Sequence, residues 1–103
     1  MNEHCVKIFL KLSEHSVAEK EMEAIHQLSD ALEDAIELHK VGEYDGDEFG
    51  GGECTLYMYG PDADKLFEAI EKPLRKSRLA RGGYVLKRYG PPEDGIREVR
   101  VDL

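Results

Sequence analysis

The chain has 103 residues, 14 Lys and Arg against 22 Asp and Glu, 41% hydrophobic residues and two cysteines. That length fits one domain burying roughly 65% of its extended-chain surface, and the composition suits neither a collagen-like repeat nor a disulfide framework. The longest uncharged stretch, Cys54 to Pro61, is far shorter than the roughly 18 apolar residues of a membrane-spanning helix.

Met1 to Lys7 shows no basic region followed by an apolar run and a small-residue cleavage site, so a cytoplasmic protein with reduced cysteines is expected. From Cys5 to Leu12 the pattern alternates, with Val6, Ile8, Leu10 and Leu12 on one face and Lys7, Phe9 and Lys11 on the other. This is the period of a half-buried strand. Ser16 and Glu19 have the spacing of a capping box, which predicts a helix from about Val17. Along it Ile25, Leu28, Leu32, Ala35 and Ile36 share one arc, with Glu19, Glu23, Asp30, Asp34 and Glu37 opposite. The helix should end near Lys40, with Gly42 at the left-handed cap position.

Val41 to Phe49 is thinly hydrophobic and acidic, which predicts a short strand at a sheet edge where charge discourages edge pairing. Gly50-Gly51-Gly52 is a turn. Cys54 to Tyr59 is a strand with Cys54, Leu56 and Met58 on one side and Thr55, Tyr57 and Tyr59 on the other. Asp62 should cap a second helix carrying Leu66, Phe67, Ile70 and Leu74 at helical spacing. Pro73 lacks the N–H that would bond residue 69, so that helix should kink or restart there, ending at Gly82-Gly83. Tyr84 to Tyr89 and Arg97 to Leu103 read as strands joined by a loop over Pro91 to Gly95, with Val99, Val101 and Leu103 on one face.

The order is βαββαβ plus one strand. With right-handed crossovers, and helices on one face of an antiparallel sheet, it predicts an α+β ferredoxin-like plait of strand order 5-4-1-3-2. Along Gly42-Glu43-Tyr44-Asp45-Gly46-Asp47-Glu48-Phe49-Gly50-Gly51-Gly52-Glu53, and on through Leu56-Tyr57-Met58-Tyr59-Gly60-Pro61-Asp62-Ala63-Asp64 to the carboxyl end, the chain resembles a family of small uncharacterised bacterial proteins of this plait type. The resemblance implies the fold and a bacterial source. It brings no catalytic residue, because that family has no assigned activity.

Charge is unevenly placed. Residues 1 to 60 hold 4 basic and 14 acidic side chains, net −10, and residues 61 to 103 hold 10 and 8, net +2. The acid-free run Lys72, Arg75, Lys76, Arg78, Arg81, Lys87 and Arg88 forms a local basic patch on a chain of net charge −8. The total charge disfavours nonspecific binding to phosphate backbones.

Asp45, Asp47, Glu48 and Glu53 crowd a Gly-rich stretch, but an EF-hand would need a ligand where Phe49 stands and Glu where Leu56 stands. No metal or other cofactor is expected. His4, His15, His26 and His39 form no HExxH, and His39 suits a capping or core role in the apolar arc of the first helix. Cys54, alternating with Leu56 and Met58, reads as a buried structural thiol, and no Ser sits in a nucleophile elbow, so no enzyme is expected. The open sheet face is more suggestive. There Phe9, Lys7 and Lys11 should stand beside Thr55, Tyr57 and Tyr59, with Arg100 farther off. The layout resembles RNA-recognition motifs, and Ile8-Phe9-Leu10 fits their first-strand pattern, but Glu53-Cys54-Thr55 stands where the third-strand motif needs basic-Gly-aromatic. A protein partner or a homodimer contact over Phe9, Tyr57, Tyr59, Lys7 and Lys11 is therefore the leading expectation. Single-stranded nucleic acid on the same face with the basic run is the alternative. Glu23, Asp30, Asp34 and Glu37 form either a solvated face or a docking face for a basic partner, as in an inhibitor or immunity-type protein.

Overall fold

The alternation from Cys5 onward becomes strand β1, His4–Lys11, in the computed structural model, which describes residues 3–12 and 19–103. The expected Ser16 cap and the helix start at Val17 lie outside the described residues. Helix α1 covers Glu19–His39 and buries Ile25, Leu28, Leu32 and Ile36, a 3-4-4 spacing that keeps one stripe against the sheet. Strand β2, Glu43–Gly50, and strand β3, Glu53–Gly60, form a hairpin whose turn residues Gly51 and Gly52 both have positive φ, 57° and 77°. Only a primed turn matches strand twist over two residues, and its φ values make glycine the residue of choice.

Helix α2, Ala63–Lys76, starts as expected at Asp62, whose carboxylate accepts the Asp64 and Lys65 N–H groups. Of the kink or restart expected at Pro73 the restart is absent, and the expected end at Gly82-Gly83 is not reached. The helix continues through Pro73, because the only bond lost is that to residue 69 in the last turn, where few remain to be made. It ends at Ser77, whose side chain accepts the Leu79 N–H and opens a short 3-10 turn over Arg78–Ala80. Strands β4, Tyr84–Arg88, and β5, Glu98–Asp102, complete the chain.

The five strands form one antiparallel sheet in the order β2-β3-β1-β4-β5, the expected 5-4-1-3-2 read from the other edge, with acidic β2 at an edge. Val6, Ile8 and Leu10 of β1, Cys54, Leu56 and Met58 of β3, and Val85 of β4 share one core cluster with the buried stripes of α1 and with Leu66, Phe67, Ile70 and Leu74 of α2. Both helices therefore lie on one sheet face. Each fully buried Leu or Ile in this layer contributes on the order of 2 kcal/mol.

The end of α1 differs from expectation. Lys40 rather than Gly42 adopts the left-handed conformation, φ 54°, its N–H bonding the Glu37 carbonyl and that of Val41 bonding Ile36. This is a Schellman closure two residues earlier than Gly42 would mark it. Gly42, at φ 154°, serves a different need, since a Cβ there would collide with the Tyr59 carbonyl. His39 is exposed, so its expected core role fails, because the last residue of α1 opens onto a depression lined by Val41 and by Lys65, Glu68 and Ala69 of α2.

Candidate interaction surface

The strand period that buries Val6, Ile8 and Leu10 turns their neighbours to the face the helices leave open. Cross-strand register arranges that face in rows. One row holds Tyr57, Lys7, Leu86 and Arg100, the next Glu48, Thr55, Phe9, Tyr84 and Asp102, and a third Glu43, Tyr59, Cys5, Arg88 and Glu98. Lys11 faces Glu53 at the far end. All five expected surface residues, Lys7, Phe9, Lys11, Tyr57 and Tyr59, thus belong to one surface.

The pattern from β1 and β3 alone misses half of this surface. Tyr84 of β4 stacks on Phe9 with ring centroids 4.6 Å apart and planes 15° from parallel. The Arg100 guanidinium from β5 then lies 3.9 Å above the Tyr84 ring and is fixed by an ion pair with Asp102 at 2.9 Å. Such a cation over a ring is worth about 0.5–1 kcal/mol at an exposed site. Phe9 is therefore half-buried rather than bare. On the other flank the Tyr57 hydroxyl donates to Glu48 at 3.2 Å. Among the described residues the exposed large hydrophobics are Leu38 and Phe49, and Phe49 pairs with Cys54 on the opposite face. The open face is amphipathic, built of rings edged by charge.

The burial of Cys5 was not legible from the alternation. This residue stands in the open-face register yet is fully buried, against Tyr59, Arg88 and Lys7. Burial pushes its thiol up, with Arg88 and Lys7 pulling the other way. The β4–β5 loop forms a lip at this end, where Pro92, Glu93, Asp94 and Ile96 line one depression with Lys7, Arg88 and Glu98. Gly90 makes room for it, since a Cβ there would press on Ile96.

Other sequence candidates are not brought together. Lys72, Arg75 and Lys76 share a shallow depression on α2 with Glu68 and Glu71, and Arg75 pairs with Glu71 at 2.8 Å. Arg81 lies beyond Ser77, beside Ala80 and Leu103, and Arg78 is exposed in the 3-10 turn. Lys87 faces the helix side, where it meets Asp64 at 3.0 Å and lies over the rings of Phe67 and Tyr89. Only Arg88 of the basic run reaches the open face. Glu23, Asp30, Asp34 and Glu37 are exposed along α1.

A second polar cluster ties α2 to the sheet. His4 Nδ1 accepts the Ala63 N–H at 3.0 Å, supplementing the Asp62 cap, and its ring meets Tyr89 edge-on. The Tyr89 hydroxyl donates to Asp64 at 2.5 Å. This bond and that from Lys87 hold the Asp64 carboxyl below its ordinary value. Burial pulls the Lys87 ammonium down, but its bonds to Asp64 and Tyr89 together raise it. The cluster is an anchor of matched charges. Among the described residues no group of three or more His, Cys, Asp and Glu could hold a metal ion, and no helix is long and apolar enough to cross a membrane.

The chain matches no protein-family model, no curated protein and no solved structure.

Proposed function

We propose that this chain is a noncatalytic protein-binding module of ferredoxin-like plait architecture, with a fifth strand added, that meets its partner through the open face of the sheet. The observation that carries the reading is the stacked Phe9–Tyr84 pair under Arg100, beside Tyr57 and Lys7, on a face that neither helix covers. Aromatic and arginine side chains clustered on a half-exposed surface are the composition of protein interface cores. The single-strand nucleic-acid reading is weaker. Phe9 and Tyr84 occupy each other's stacking planes, and the basic run supplies only Arg88 to this face.

Lysine acylation tests the reading. Lys7 and Lys11 should become protected when the protein is concentrated, or mixed with an extract of its source cell, while Lys72 and Lys76 stay reactive. Equal labelling of all four under both conditions would contradict it. Titration with mixed single-stranded oligonucleotides at low salt should show no binding at tens of micromolar.

A further inference from the structure

The charges of the open face are sorted by strand. Glu43 and Glu48 of β2 and Glu53 of β3 lie on one side, and Lys7 and Lys11 of β1, Arg88 of β4 and Arg100 of β5 on the other, where Glu98 and Asp102 flank Arg100. Two identical faces can meet about a two-fold axis across the strands or along them. An axis across the strands lays each strand over its own copy, so the acid of β2 and β3 meets acid. An axis along the strands, between β3 and β1, lays β3 over β1 and β2 over β4. Rows are then preserved. Tyr57 comes over Lys7 of the second copy, Glu53 over Lys11, Glu43 over Arg88, and Glu48 over the Tyr84 ring on which Arg100 rests.

We infer that the occupant of the open face is a second copy of this chain, docked about a two-fold axis parallel to the strands so that the acidic β2–β3 flank of each copy covers the cationic β1–β4 flank of the other. The inference rests on the open face being the contact surface. Complementary potentials select one orientation and suppress the one in which like charges meet. Three strands of eight residues and one of five cover roughly 450 Å² in projection, and side chains add to it, so each copy approaches the ~800 Å² of a standard interface. The lip formed by the β4–β5 loop bounds the contact at one end.

Glu48 and Arg100 provide the test, because within one chain they stand on opposite edge strands, about 19 Å apart across the sheet. Neither can compensate for the other inside a monomer. Sedimentation equilibrium at low salt compares wild type, Glu48→Arg, Arg100→Glu and the double variant, with circular dichroism confirming that each is folded. Wild type should dimerise, each single reversal should raise the dissociation constant roughly tenfold, and the double reversal should regain most of the loss. Raising the salt should weaken the wild-type dimer. A double variant no better than the singles, or a dimer indifferent to salt, would overturn the orientation. A wild type that stays monomeric would overturn the second copy as occupant. In that case protection of Lys7 and Lys11 by cell extract would still uphold a contact with another protein, and its absence would remove that reading too.

Discussion

Tyr44 packs on the edge of the core with its hydroxyl buried and, among the described residues, without a partner at hydrogen-bond distance, while the Ser29 hydroxyl near it donates to the His26 carbonyl at 3.0 Å. Burial and the nearby Asp47 carboxylate push its phenol up to about 12, and the same two causes push the Cys54 thiol up to about 11. Both groups ionise earlier in the unfolded chain, from ordinary values of 10.0 and 9.0. The folded state then holds protons the unfolded state has lost, so stability should be level near neutrality and fall from about pH 9 to pH 12. Urea midpoints measured across that range check the sign. Tyr44→Phe removes an unanswered polar atom and should gain up to about 1 kcal/mol while flattening the upper part of the fall. A loss of that size would mean that the hydroxyl is satisfied in solution. Cys5 and Cys54 should both ignore a thiol reagent until the chain unfolds, because protonated, buried thiols are poor nucleophiles. The burial of Cys54 is legible from its alternation with Leu56 and Met58. That of Cys5 is not, because Tyr59 and Arg88, which stand on either side of it, come from distant parts of the chain.

Among the elements, the strands were legible wherever alternation was clean, and β1 and β3 emerged as neighbours with the expected faces. Element ends were harder to read. Gly42, near the end of α1, could serve either as cap or as a site of close approach, and sequence offers no way to see the Tyr59 carbonyl that claims it. The cap consequently falls on Lys40, a non-glycine residue at φ 54°. Lys40→Gly should stabilise the protein by about 1 kcal/mol, whereas Gly42→Ala should cost about 2 kcal/mol or more, both read from urea unfolding. On the outer face of α1, Glu19 with Glu23 and Asp30 with Asp34 repel at i,i+4, at a cost of a few tenths of a kcal/mol per pair. Replacing Glu23, Asp30, Asp34 and Glu37 with Gln or Asn should therefore be neutral or slightly stabilising and leave self-association unchanged. A loss of partner binding, largest at low salt, would instead assign the contact to α1.

At the scale of the molecule, the imbalance between a front half of net −10 and a back half of net +2 acquires meaning only through topology. The acid of the hairpin goes to one flank of the sheet because β2 and β3 are neighbours at that edge, and the arginines of β4 and β5 go to the other. Composition supplied the asymmetry without its direction. The contiguous basic run also misled, since a 3-10 turn and the alternation of β4 send its members to three surfaces. Likewise, Tyr84 and Arg100 joined the aromatic face through pairings that depend on the completed sheet, although their strand periods were visible beforehand. The central claim is that this face, rather than either helix, makes the protein's contact. Sedimentation equilibrium of wild type and Tyr57→Lys over a hundredfold range of concentration tests it most directly. A reversible dimer in the wild type, reduced to monomer by a cation placed at the centre of the face opposite Lys7 of the second copy, is the expected result. A dimer whose affinity Tyr57→Lys leaves undiminished would contradict the account.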